Sequence, residues 1–126
     1  MGALSVRVEL AGLAEEVSRF GPTPFLVTVG ADGRPHAVSV HVGWDGDRLV
    51  LRAGNTTVAN AKARPSVMLL WSPVEGGGFS LIVDGTAEVD GTDRVLIGPT
   101  AAVLHRQVSD GPGDAPVASC QPVFNH

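Results

Sequence analysis

The chain holds a single cysteine, Cys120, among its 126 residues, so no disulfide can form within it and no cluster of thiols can bind metal. Cys120 sits in a polar, proline-rich stretch without the helix or strand setting of a nucleophile, and reads as an ordinary free thiol. No apolar run approaches the roughly 18 residues that a membrane span needs. Arg7, Glu9, Glu15 and Glu16 interrupt the N-terminal stretch, which therefore does not read as a secretory leader. The expectation is a cytoplasmic protein with no membrane partner. Basic charge is scarce as well, with 9 Lys and Arg against 13 Asp and Glu. The basic residues are scattered, which argues against a nucleic-acid partner and leaves room only for a locally bound phosphate. Internal repeats, carboxylate pairs at acid–base spacing and a Ser/His/Asp set are all absent, so no catalytic residue is assigned. The glycines of Glu75-Gly76-Gly77-Gly78 precede no helix with a Lys-Thr pair, so they are a surface connection rather than a nucleotide loop. His36 and His41 lie five apart on an extended segment and face opposite ways, so they do not chelate one metal, and no metal site is assigned.

The hydrophobic content of 44% supports one modest core, in which a coenzyme-sized pocket would leave little to pack. Sharing such a pocket between two copies would relieve this, and a homodimer is expected. Leu10, Leu13, Ala14, Val17 and Phe20 recur at helical spacing and predict an amphipathic helix over Glu9 to Phe20, stopped by Gly21-Pro22. Apolar residues then alternate through Phe25, Val27 and Val29, and again through His36, Val38, Val40 and Val42. Asp32-Gly33 and Asp45-Gly46 mark hairpin turns, so a three-stranded meander ending in RLVLR is predicted. SVMLLW after Pro65 predicts a central strand buried on both faces, closed by Trp71 as a core or interface aromatic. Trp44 reads as a packing residue of its hairpin turn. FSLIVDGTAEVD is a strand with a bend or bulge at Gly85, and a sixth strand follows through Thr86, Glu88 and on to Val95, Leu96 and Ile97. A short helical piece is predicted over Thr100 to Arg106. The fold class is thus mainly β, a six-stranded antiparallel barrel with short flanking helices over residues 1–106, and 107–126 form a loose polar tail.

The third strand of the meander runs into Ala53-Gly54-Asn55-Thr56-Thr57, where glycine and side-chain oxygens precede Val58 and Ala61, the start of a short helix. Such a start exposes unpaired N–H groups and the positive end of a dipole, which suit a phosphate. The same residues also suit an ordinary helix cap, and local sequence leaves both readings open.

The order FLVTVGADGRPHAVSVHVGWDGDRLVLRAGNTTVANAKARPSVMLLW, then LIVDGTAEV, resembles the pyridoxamine 5'-phosphate oxidase-like family of flavin-binding split barrels, over roughly Phe20 to Arg106. Each motif alone is common, and their order is what is specific. The resemblance implies a six-stranded split barrel, a homodimer, and two coenzyme sites in the grooves between subunits. It implies an FMN-binding flavoprotein, an oxidoreductase acting on a small-molecule substrate that the sequence does not name. The coenzyme's ring would carry the chemistry while the protein positions it. The same resemblance admits a reductase using an 8-hydroxy-5-deazaflavin coenzyme, or a non-catalytic module for a flavin or haem. By correspondence of motifs it assigns His36, Val38, Ser39, Val40 and His41 to the ring, and Arg52, Ala53, Asn55, Thr56, Thr57 and Asn60 to the phosphate. Many relatives carry a basic pair at the helix start where this chain has Thr56-Thr57; Arg52, Lys62 or Arg64 would have to compensate. The polar tail also replaces the Arg- and Trp-rich C-terminal segment of the pyridoxamine phosphate oxidases themselves, which makes that activity the less expected one.

Overall fold

The computed structural model describes residues 2–76 and 78–108. Its elements run β1 (Gly2–Val8), a 3-10 turn (Leu10–Gly12), α1 (Leu13–Phe20), β2 (Phe25–Val29), β3 (Pro35–Ser39) and β4 (Gly43–Asp45). β5 (Arg48–Arg52), α2 (Asn55–Ala63), β6 (Ser66–Trp71), β7 (Ser80–Asp90) and β8 (Arg94–Val108) complete them. The molecule is mainly antiparallel β, as expected. Among the described residues the sheet has eight strands rather than six, in the order β3-β2-β6-β7-β8-β5-β4, with β1 beside β8.

The expected meander is corrected. β3 pairs with β2, and β5 pairs with β4 and β8 at the other end of the strand path. After Ser39 the N–H groups of Val40 and Val42 donate to the carbonyls of Pro24 and Pro22, at 3.0 and 2.8 Å. The chain thus stays beside the entry to β2, and the following hairpin is added to β8. Gly33 and Gly46, at φ 82° and 65°, supply the turns that the Asp-Gly pairs announced.

A second correction concerns β2, whose buried positions are Leu26 and Thr28 while Phe25 is exposed, the opposite parity to the Phe25, Val27, Val29 reading. Four of its five residues are apolar, so period two could not choose a face. The choice follows from Thr28, whose hydroxyl accepts a 3.1 Å hydrogen bond from the Asn60 side-chain amide inside the core. Cross-strand register then sets His36 opposite Thr28 and Val38 opposite Leu26, on that inner face. Replacing Thr28 by valine keeps the shape and leaves the Asn60 amide without its acceptor. A loss of about 2 kcal/mol in urea unfolding is expected.

β6 alternates rather than being buried on both faces: Val67, Leu69 and Trp71 point inward. Trp71 is a core residue, and its indole N–H donates to the Gly21 carbonyl at 2.7 Å, tying β6 to the end of α1. With Leu26, Leu49, Leu81, Val83, Val95 and Ile97 it forms the centre of the core, covered at one end by Leu13 and Val17 of α1.

The helix predicted over Thr100 to Arg106 is a strand. β8 is 15 residues long and pairs with β7 from Arg94 to His105, while its other edge meets β5 over Leu96 and neighbouring residues, then β1 from Ala102 onward. Pro99 falls between those two partners and opposite the register shift at Asp84/Gly85, where its missing N–H breaks no ladder. The residues read as a sixth strand divide between the end of β7 and the start of β8, and β1 was not anticipated. Since β8 extends to Val108, the barrel passes the expected boundary at 106; the rest of the tail, with Cys120, lies outside the described residues.

Candidate functional site

β5 alternates, with Leu49 and Leu51 buried in the core while Arg48, Val50 and Arg52 face outward. From Arg52 the chain passes through Ala53, whose N–H donates to the Asp93 carbonyl at 2.9 Å, to Gly54, the extended residue that precedes α2. No side chain caps α2 and no acidic residue stands in its first turn. By helix geometry the N–H groups of Asn55, Thr56 and Thr57 have no acceptor within the helix. The first turn of α2 is therefore open, and neither Asn55 nor the threonines act as the conventional side-chain cap.

The residues assigned to the phosphate divide by exposure. Asn55 and Thr56 are exposed, whereas Thr57 and Asn60 are buried, the amide of Asn60 being engaged by Thr28. Arg52 is 73% exposed at its side chain, and its Nη1 donates to both carboxylate oxygens of Asp93, at 2.9 and 3.0 Å. Of the two other cations considered, Arg64 donates from Nε to the Val29 carbonyl at 2.7 Å and Lys62 stands in the last turn of α2, away from its start.

The residues assigned to the ring divide by face. His36 and Val38 line the inner side of β3, Ser39 the outer side opposite Phe25, and Val40 is buried. His41 leaves this strand altogether. It joins Gly43, Val50, Leu51, Arg52 and Arg94 around a groove of about 350 Å³, which unites His41 with Arg52 and includes no β3 residue. Arg94 and Asp93 escaped the sequence reading; only the pairing of β5 with β8 reveals that Arg94 stands directly opposite Arg52. Arg94 donates to Asp90 at 2.6 Å and to Asp45 at 3.0 Å, and these bonds, Asp90 first, raise its pKa further above the ordinary arginine value. A larger cavity of about 640 Å³ lies between α1 and the β4–β5 hairpin, bordered by Leu10, Leu13, Trp44, Asp47 and Pro99. It takes in none of the assigned residues, and Trp44, at the hairpin as expected, forms part of its wall. Among the described residues no group of His, Cys, Asp and Glu could hold a metal ion, and no helix is long and apolar enough to cross a membrane.

Solved structures share this architecture. A pyridoxamine 5'-phosphate oxidase candidate of Listeria innocua superposes with a TM-score of 0.60 at 18% identity, covering 81% of this chain and 100% of its own. The chain has the fold of the pyridoxamine 5'-phosphate oxidase-like split barrels. FAD-binding proteins of Mesorhizobium loti and Mycobacterium smegmatis share the fold, with TM-scores of 0.64 and 0.62 at 15% and 17% identity. They cover 86% and 84% of this chain, and 100% of each of their own. In sequence the split barrel belongs to one family with uncharacterised proteins of Mycobacterium bovis and Mycobacterium tuberculosis. Each is 36% identical over 129 residues, which span 90% of this chain and 88% of the relative. No protein-family model matches the chain.

Proposed function

We propose that this split barrel binds a phosphate-bearing flavin coenzyme, FMN first, in a groove shared by two copies of the chain, and serves as an oxidoreductase toward a small molecule. The observation that carries the reading is the open first turn of α2, free of acid and of side-chain cap, close in sequence to Arg52 at the end of β5. The fold, shared with two FAD-binding proteins, supports it. Arg52, Asn55 and Thr56, with the N–H groups of the first turn, would hold the phosphate, and His41 would border the ring. A bound flavin supplies hydride and electron transfer, so the chain's own side chains need only bind and orient it.

The purified protein is expected to be yellow, or to quench the fluorescence of added FMN with micromolar affinity or better, and to sediment as a dimer. Indifference to millimolar FMN ends the FMN reading. A parallel titration with the 8-hydroxy-5-deazaflavin coenzyme separates that alternative, which places the same anionic demand on α2. Thr56-Thr57 at the helix start and the pairing of Arg52 with Asp93 favour one further reading, a weakly binding module without turnover. Reduction of the bound flavin followed by its reoxidation with a small-molecule acceptor excludes that module.

A further inference from the structure

We propose that Arg52 and Arg94 form a two-arginine clamp for a phosphate or diphosphate group, and that Asp93 occupies this clamp as an internal competitor. The proposal rests on the coenzyme reading above and names the residues that set its affinity. Arg52 and Arg94 are directly opposed across the β5–β8 ladder, an arrangement in which like charges repel. A sheet does not gain stability from such a pair; a dianion does, because two planar guanidiniums present several N–H donors to it from adjacent strands.

Both arginines are already occupied by carboxylates of the chain. Asp93 takes Arg52 through both oxygens, while Asp90 and Asp45 share Arg94. Three carboxylates facing two guanidiniums leave the groove without net positive charge, so an arriving anion has to displace a carboxylate. Displacement is feasible because the Arg52–Asp93 pair is open to water, with 73% and 49% of the two side chains exposed, and exposed pairs are weak. Asp93 is also well placed to compete: its backbone carbonyl takes the Ala53 N–H, which anchors it at the approach to α2. His41 and Val50 complete the groove around the two arginines, and its volume of about 350 Å³ admits a phosphate-sized group.

Inorganic pyrophosphate tests the clamp without a flavin, read through the fluorescence of Trp44, which adjoins Asp45 in sequence. Asp93→Asn is expected to bind pyrophosphate about tenfold more tightly than the parent, and Arg94→Gln about tenfold more weakly, with Arg94→Lys between them. FMN should follow the same order, while riboflavin, which has no phosphate, should not respond. Equal pyrophosphate affinity in the parent, Asp93→Asn and Arg94→Gln overturns the clamp and makes these contacts ordinary surface ion pairs. If FMN nevertheless binds all of them alike, the coenzyme reading survives and the clamp does not. If pyrophosphate obeys the predicted order and no variant binds a flavin, the clamp stands and the coenzyme reading falls. Thermal melts of each variant verify that these exposed substitutions leave the fold intact.

Discussion

Gly85→Ala should lower the melting temperature by roughly 10 °C, the equivalent of about 3 kcal/mol for a domain of this size. Gly85 lies inside β7 at the point where the β7–β8 register shifts, with Asp84 opposite Ala101 and Gly85 opposite Pro99. Thr100 is the extra residue, and its hydroxyl closes the irregularity by donating to the Asp84 carbonyl at 3.2 Å. A Cβ at position 85 would stand 2.6 Å from Ile97 Cγ2 and 2.9 Å from the Gly98 carbonyl oxygen. Neither neighbour can yield cheaply. Ile97 is fully buried in the centre of the core, and the Gly98 carbonyl belongs to the ladder with Thr86. The bulge would have to open, loosening the sheet where β8 passes from β5 to β1. Gly2→Ala is the control, since no atom lies within 4 Å of its added Cβ, and it should melt with the parent. A fall of less than about 3 °C for Gly85→Ala in circular-dichroism melts would contradict the packing described.

The bulge at Gly85 was legible in the sequence because glycine between Asp84 and Thr86 interrupts a strong alternation. The hairpin turns, α1, α2 and the presence of β2, β3 and β6 were legible for the same kind of local reason, but not which faces of β2 and β6 are buried. What escaped was every feature decided by pairing between distant segments. RLVLR is a strand by composition, but nothing within it tells whether its neighbour is β3 or β8. Thr100 to Arg106 mixes small, branched and polar residues that suit a helix in isolation, and becomes a strand because β7 offers a ladder on one edge and β1 on the other. β1 itself is exposed on nearly every residue, so it carries no core-facing pattern to detect. The candidate site divides in the same way. The start of α2 could be located from glycine and hydroxyl residues alone. That Thr57 and Asn60 turn inward depends on Thr28, 32 positions before Asn60, being buried. That Arg52 is balanced by Asp93 and faced by Arg94 depends on the β5–β8 register.

Exposure at the start of α2 also separates the two threonines that stand where the resemblance implied a basic pair. Thr56→Arg should strengthen FMN binding by one to two orders of magnitude and leave riboflavin unaffected. Thr56 is exposed in the first turn, beside N–H groups that lack intrahelical acceptors, so a guanidinium there reaches the phosphate without being desolvated. A hydrogen bond to a charged group contributes about 1.5–3 kcal/mol, which converts to a factor of roughly ten to above a hundred in affinity. The cation has a cost of about 0.3–1 kcal/mol, because it faces the positive end of the helix dipole when no ligand is bound, so the ligand-free variant should melt a few degrees lower. Thr57→Lys should behave in the opposite manner. Thr57 is 3% exposed, and an ammonium forced inward there meets the core side of α2 with no carboxylate in the first turn to receive it. It should lose stability by several kcal/mol and gain no affinity. Calorimetric titration of FMN and riboflavin into each single variant, with melts of the ligand-free proteins, distinguishes the outcomes. A gain from Thr57→Lys with none from Thr56→Arg would mean that the phosphate approaches from the buried side of α2, and the groove along β5 would then not be its site.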